Sequence, residues 1–146
     1  MQVEVKLDVT CRETKVVIVT DKITDEIHAL ISQLSADTPT YLPGFQGDQL
    51  TLLRQADVLR IYGESGKVWA ITQQGKYLLR LRLYALEERL NRRDFVRISN
   101  SEILNLRQVK AFDLRYTGTI CVSLSDGSVT YVSRRYVGKI KEVLGI

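Results

Sequence analysis

The sequence has one histidine, two cysteines, two prolines and no long apolar run, and each scarcity closes off a class of function. A His-rich zinc site, a Ser-His-Asp triad or a Cys-His pair would each have to be built on His28 alone. That residue sits among Ile27, Leu30 and Ile31 in a predicted helix, the setting of a surface or boundary histidine. Cys11 and Cys121 lie far apart without CxxC spacing, which reads as two free thiols in a reducing compartment; a disulfide between them is the alternative. The runs Val16–Val19 and Val68–Ile71 fall far short of the roughly 20 residues that span a bilayer. Met1–Lys6 alternates apolar and polar and lacks the basic start and apolar core of a secretion signal, so a cytoplasmic location is expected. The close carboxylate pair Glu87-Glu88 occupies adjacent helix positions about 100° apart and cannot flank a common substrate. No catalytic residue, metal or cofactor is expected, and an enzyme is the least favoured class.

What is present is a chain of 146 residues and 16.7 kDa, 45% hydrophobic and 26% charged, sufficient for one domain with a small appendage. Its net charge of +4 conceals a split. Residues 1–44 hold four basic against seven acidic residues, net −3, whereas residues 45–146 hold seventeen against ten, net +7. Of the 21 basic residues 13 are arginine, whose planar fork suits bidentate contact with phosphate and guanine. An anionic partner for the second segment is the natural expectation; a merely solvated charged surface is the alternative.

Alternation at Val3, Val5, Leu7 and Val9 and the β-branched run Lys15–Thr20 predict two strands. Asp21 or Thr24 can cap a following helix whose apolar face is Ile23, Ile27, Leu30, Ile31 and Leu34. Residues 1–36 therefore read as a small ββα unit, expected to serve dimerisation or partner binding. Residues 37–47, with both prolines, read as a linker, and residues 48–146 as the main domain. The main domain is mainly β with short helices. Strands are predicted at Val58–Glu64, Lys67–Thr72, Lys76–Leu81, Lys110–Tyr116, Thr119–Leu124 and Ser128–Val132, and helices at Leu83–Leu90 and Arg135–Leu144. Asp126-Gly127 is the strongest hairpin signal, because a type I′ turn wants φ > 0 at both central positions.

Several phrases in this order resemble the LytTR DNA-binding domain of bacterial transcription regulators. They are Ile61-Tyr62-Gly63-Glu64-Ser65-Gly66, the helix Leu83–Leu90, Phe95-Val96-Arg97-Ile98-Ser99-Asn100-Ser101 with Glu102–Asn105, Leu124-Ser125-Asp126-Gly127, and Val132-Ser133-Arg134-Arg135-Tyr136. The resemblance covers roughly residues 48–144. It implies an all-β domain without a helix-turn-helix that pushes loops into successive major grooves of double-stranded promoter DNA. Binding sites of the family are paired repeats, so a homodimer is expected. Family members without further domains are sometimes held by a membrane-bound regulatory partner. The base-reading positions carried over are Lys67 after the Glu-Ser phrase, Ser99 and Asn100 after Phe-x-Arg, and Arg135 in the Ser-Arg-Arg region. Arg97, Ser101, Arg134 and Lys139 complete the expected DNA-binding set.

Ser99 departs from the family, which most often has histidine there. A shorter side chain implies another base preference or a water-mediated contact. Asn100 can read adenine and Arg135 guanine bidentately. Each residue also has a structural reading: Asn100 and Ser101 could cap a short turn at Glu102–Asn105. Arg134 and Arg135 open a predicted helix, where positive charge opposes the dipole, which favours a phosphate or base role over decoration. Tyr62, Trp69 and Tyr77 follow strand alternation, unlike stacking platforms for single strands. The first 44 residues are too few for a phosphorylatable receiver domain, so phospho-relay control is not expected. The rival reading is a basic protein-interaction module without sequence-specific DNA readout.

Overall fold

The computed structural model describes residues 1–35 and 41–146, without the side chains of Ser32 and Ser35. It divides into two units, Met1–Asp37 and Thr38–Ile146.

The described residues of the first unit contain one helix, α1 (Asp25–Ser35). The Thr24 hydroxyl accepts the Ile27 N–H (3.3 Å), choosing Thr24 over Asp21 as the cap, and Asp25 and Glu26 complement the dipole in the first turn. Residues 1–24 contain no strand, so the predicted ββα unit is corrected to a segment of turns and irregular chain followed by a helix. A tight turn does form at Asp8–Cys11, where Cys11 N–H donates to the Asp8 carbonyl (3.1 Å) and Thr10 N–H to the Asp8 carboxylate (2.9 Å). The flanking runs do not pair across it. A lone two-stranded hairpin is marginal in water, and no third strand supports this one.

The described residues of the second unit form a β-structure of ten strands. Seven form one antiparallel sheet in the order β2-β1-β5-β4-β3-β7-β6, and three form a second in the order β10-β9-β8. The strands are β1 (Tyr41–Gln46), β2 (Gln49–Arg54), β3 (Val58–Glu64), β4 (Lys67–Thr72), β5 (Gly75–Leu79), β6 (Phe95–Ser99), β7 (Glu102–Asn105), β8 (Val109–Asp113), β9 (Ile120–Leu124) and β10 (Val129–Val132). Helix α2 (Leu83–Arg89) follows β5, and α3 (Arg134–Leu144) closes the chain.

Three expectations change. Residues 41–46 of the expected linker are β1, paired with β2 from Tyr41↔Arg54 to Gln46↔Gln49, while residues 37–40, Pro39 included, lie outside the described residues. The Pro43-Gly44 step disguises this strand. Gly44 is glycine because a Cβ there would come within 2.7 Å of Leu53 and 2.9 Å of Tyr77, which pack across it. Residues 102–105 are a strand, β7, rather than a capped turn, with Ile103 facing one core and Leu104 the other. Finally, the Asp126-Gly127 hairpin has φ > 0 only at Gly127, because Asp126 accepts the Ser128 N–H (2.9 Å) and the Ser128 hydroxyl (2.5 Å). It is Ser65 and Gly66, at φ 52° and 77°, that have the φ pattern of a type I′ turn.

Alternation builds two cores on the two faces of the large sheet. On one face Leu42, Leu53, Ile61, Ala70, Tyr77 and Leu79 meet Leu86 and Leu90 of the α2 region. On the other, Leu59, Val96, Ile98 and Leu104 meet Ile120, Val122, Leu124 and Val132 of the small sheet and Ile140 of α3. Strands β3, β7 and β6 are thus covered on both faces, which holds their ends still. The ends form the candidate site.

Candidate nucleic-acid interface

Three chain reversals meet at one end of the large sheet. The first is the β3–β4 hairpin, whose Ser65-Gly66 turn presents the exposed Lys67 at the start of β4. The second joins β6 to β7 through Ser99, Asn100 and Ser101, just after a bulge between Arg97 and Ser99. Bulges re-aim side chains, and here Asn100 and Ser101 are left exposed while Ser99 is half-buried. The third is the entry to α3, with Arg134, Arg135 and Lys139 exposed.

Long-range hydrogen bonds join the three. Gly63 N–H on β3 donates to the Ser101 carbonyl (2.8 Å), and Ser133 N–H at the head of α3 donates to the Ile98 carbonyl (2.9 Å). The Tyr136 hydroxyl donates to Asn100 Oδ1 (3.2 Å), so a first-turn residue of α3 orients the amide of the turn. Within the turn the Ser101 N–H donates to Ser99 Oγ (3.2 Å). Ser99 thus supplies the side-chain acceptor inside the turn, and with residues 102–105 in a strand there is no turn there for Asn100 or Ser101 to cap.

Arg97 departs from its expected place at the surface. Its side chain is only 15% exposed and forms an ion pair with Glu87 of α2. Its Nε donates to the Ser99 carbonyl (2.7 Å) and its Nη2 to the Asn100 carbonyl. A guanidinium with several partners in a partly dry setting fixes geometry well. Arg97 thus stands behind the turn and shapes it.

Other cations lie on the sheet rather than at its end. Arg60 lies 4.8 Å from the Tyr62 ring and pairs with Glu102 (2.9 Å), Lys76 lies 4.3 Å from the Trp69 ring, and Arg80 lies 3.9 Å from that of Phe45. Tyr62 and Trp69 are half-buried and Tyr77 is in the core, which agrees with their reading as sheet residues. In contrast, none of Lys67, Arg134, Arg135 and Lys139 belongs to an ion pair among the described residues. Arg134 lies along the turn before β9, since a Cβ on Gly118 would approach its Nε to 3.2 Å. Helix α3 has no acidic residue in its first turn and no side-chain cap from Ser133, so its head is uniformly electropositive.

Tyr136 and Glu87, which contact Asn100 and Arg97, are members of the candidate site that sequence reasoning missed. Neither stands near Asn100 or Arg97 in the chain, and only the packing of α3 and α2 brings them there.

A family profile described as the LytTr DNA-binding domain matches residues 48–145. The chain belongs to the LytTR family. LytTR relatives in Staphylococcus aureus bear the name uncharacterised HTH-type transcriptional regulator. That of strain COL is 36% identical over 126 residues, covering 86% of this chain and 85% of the relative. That of strain MRSA252 is 35% identical over the same span. Among solved structures, the LytTr DNA-binding domain of a methyl-accepting/DNA response regulator from Bacillus cereus superposes with a TM-score of 0.71 at 20% identity, covering 73% of this chain and 98% of that one. The LytTR fold is therefore the fold of the second unit. Strands β6–β10 separate α2 from α3, so the described residues contain no helix-turn-helix pair, despite the relatives' name. This chain is a DNA-binding regulator of the LytTR type, and no helix among its described residues is long and apolar enough to cross a membrane.

Proposed function

We propose that the protein reads specific sequences in double-stranded promoter DNA, and that it does so at paired repeat sites as a homodimer. The Ser65-Gly66 hairpin, the Ser99–Ser101 turn and the head of α3 enter the major groove. Asn100, oriented by Tyr136, reads adenine, and Arg135 reads guanine, each worth about 1–3 kcal/mol of discrimination. Lys67, Arg134 and Lys139 position the protein on phosphates, and Ser101 lies beside them at the tip of its turn. Ser99 is too short to reach far and acts by holding the turn, with Arg97 behind it.

The observation that carries this reading is the joining of three segments, far apart in sequence, by the Gly63–Ser101, Ser133–Ile98 and Tyr136–Asn100 hydrogen bonds. Fluorescence anisotropy against the protein's own upstream DNA and a scrambled duplex, across a salt series, tests it. A preference of about 10³-fold for the promoter is expected. Equal, steeply salt-dependent affinity for both would instead favour a basic interaction module. Arg135→Ala should relax discrimination at one base pair, whereas Lys139→Ala should weaken all sequences alike and flatten the salt slope by about 1.

A further inference from the structure

We infer that the N-terminal segment is a homodimerisation strand, pairing antiparallel with the same segment of a second copy in a register centred on Val5. In the single chain Val3, Val5, Leu7 and Val9 are 88%, 78%, 96% and 103% exposed. Val3, Val5 and Leu7 alternate with polar residues, the pattern of a half-buried strand, and have found no sheet. After the Asp8–Cys11 turn comes Lys15–Thr20, where Val16, Val17 and Val19 are again exposed. One such hairpin is marginal alone, but two joined through their first strands make four strands, enough to hold a hydrophobic face.

The charges choose the second copy and its direction. Parallel self-pairing would set Glu4 against Glu4 and Lys6 against Lys6. Antiparallel pairing about Lys6 would set Glu4 against Asp8. Pairing about Val5 sets Glu4 against the partner's Lys6 twice and Val3 against Leu7 twice. Opposite charges facing across a ladder stabilise it and like charges oppose it. A register about Leu7 also pairs unlike charges, Lys6 with Asp8, but it runs at once into the Asp8–Cys11 turn, where the Asp8 carboxylate already holds the Thr10 hydroxyl (2.7 Å). The Val5 register completes its Val3–Leu7 and Glu4–Lys6 pairs before that turn begins.

This extends the two-copy reading above but is tested without DNA, so either can fail alone. The full chain carrying Cys11→Ser and Cys121→Ser is given Val5→Cys, Leu7→Cys or Val9→Cys, oxidised mildly, and resolved on non-reducing gels beside sedimentation equilibrium. Residue 5 faces itself across the two-fold axis, and a disulfide needs Cβ atoms within about 4.5 Å, so Val5→Cys should trap about tenfold more covalent dimer than Val9→Cys. Val5→Asp should turn a sedimenting dimer into a monomer while the unfolding midpoint read by Trp69 fluorescence stays put. A monomeric wild-type chain at tens of micromolar, a dimer that survives Val5→Asp, or stronger trapping at Leu7 or Val9 than at Val5 would each overturn the proposal.

Discussion

Residues 3–9 and residues 95–105 of this chain both alternate or mass apolar side chains, yet only the second run lies in a sheet. Strands β6 and β7 have each other, β3 beside them, and a layer on each face. Val3–Val9 has nothing of the kind within its own unit. Periodicity therefore fixes which side of a strand is apolar, whereas neighbours decide whether the strand exists.

The sharpest way to break that comparison is to truncate one side chain in each region. Leu104 is fully buried, and Leu104→Ala should cost about 2–5 kcal/mol through lost burial and a residual cavity. Val5→Ala should shift the same transition by no more than about 0.5 kcal/mol. Denaturant unfolding followed by the fluorescence of Trp69 measures both.

How much of this was legible beforehand differs by region in the same way. Strands β3 and β4 begin and end where alternation and the Ser65-Gly66 turn put them, because both signals are local. Strand β1 was hidden by Pro43-Gly44, whose fit depends on Leu53 and Tyr77 across the sheet. Strand β7 was hidden by its polar ends: Glu102 pairs with Arg60, and Asn105 Nδ2 donates to the Val58 carbonyl (2.7 Å). At the site, the exposed basic residues could be named from the sequence. The inward turn of Arg97 could not, because its Glu87 partner lies on a helix and its carbonyl partners exist only once the turn has formed.

Arg97→Met sharpens the contrast between shaping and contacting. Removing its hydrogen bonds to the Ser99 and Asn100 carbonyls should lower DNA affinity about tenfold, or 1.4 kcal/mol. The salt slope should stay unchanged, unlike that of Lys139→Ala, because no phosphate contact is lost. An altered slope in an anisotropy titration would put Arg97 at the DNA instead.

The smallest expected effect concerns the β9–β10 hairpin. Hydrogen bonds from the Ser128 hydroxyl and N–H hold the Asp126 carboxyl below its ordinary pKa. A depressed folded-state value means that this stabilisation is complete above the ordinary carboxylate range and is lost as the pH falls through the lowered value. Asp126→Asn should therefore flatten the acid limb of the stability curve slightly, as read by thermal melts from neutral pH downward. The matching carboxylate of the N-terminal turn, Asp8, is held low by Thr10 in the same way, yet its replacement should leave that curve for the second unit unmoved.

On the proposed mode of binding, the hydrogen bonds among the three turns also decide which partner bends. Gly63, Ile98, Asn100, Ser101, Ser133 and Tyr136 make the three turns a single comb of fixed spacing. Little conformational entropy is left to lose on contact, which favours tight association where the spacing fits. A comb that cannot splay transfers any mismatch in pitch to the duplex, which must kink or untwist to admit all three teeth. Base pairs lying between the contacted ones will then matter through their stiffness, and sites with flexible pyrimidine–purine steps there should be preferred though nothing touches them.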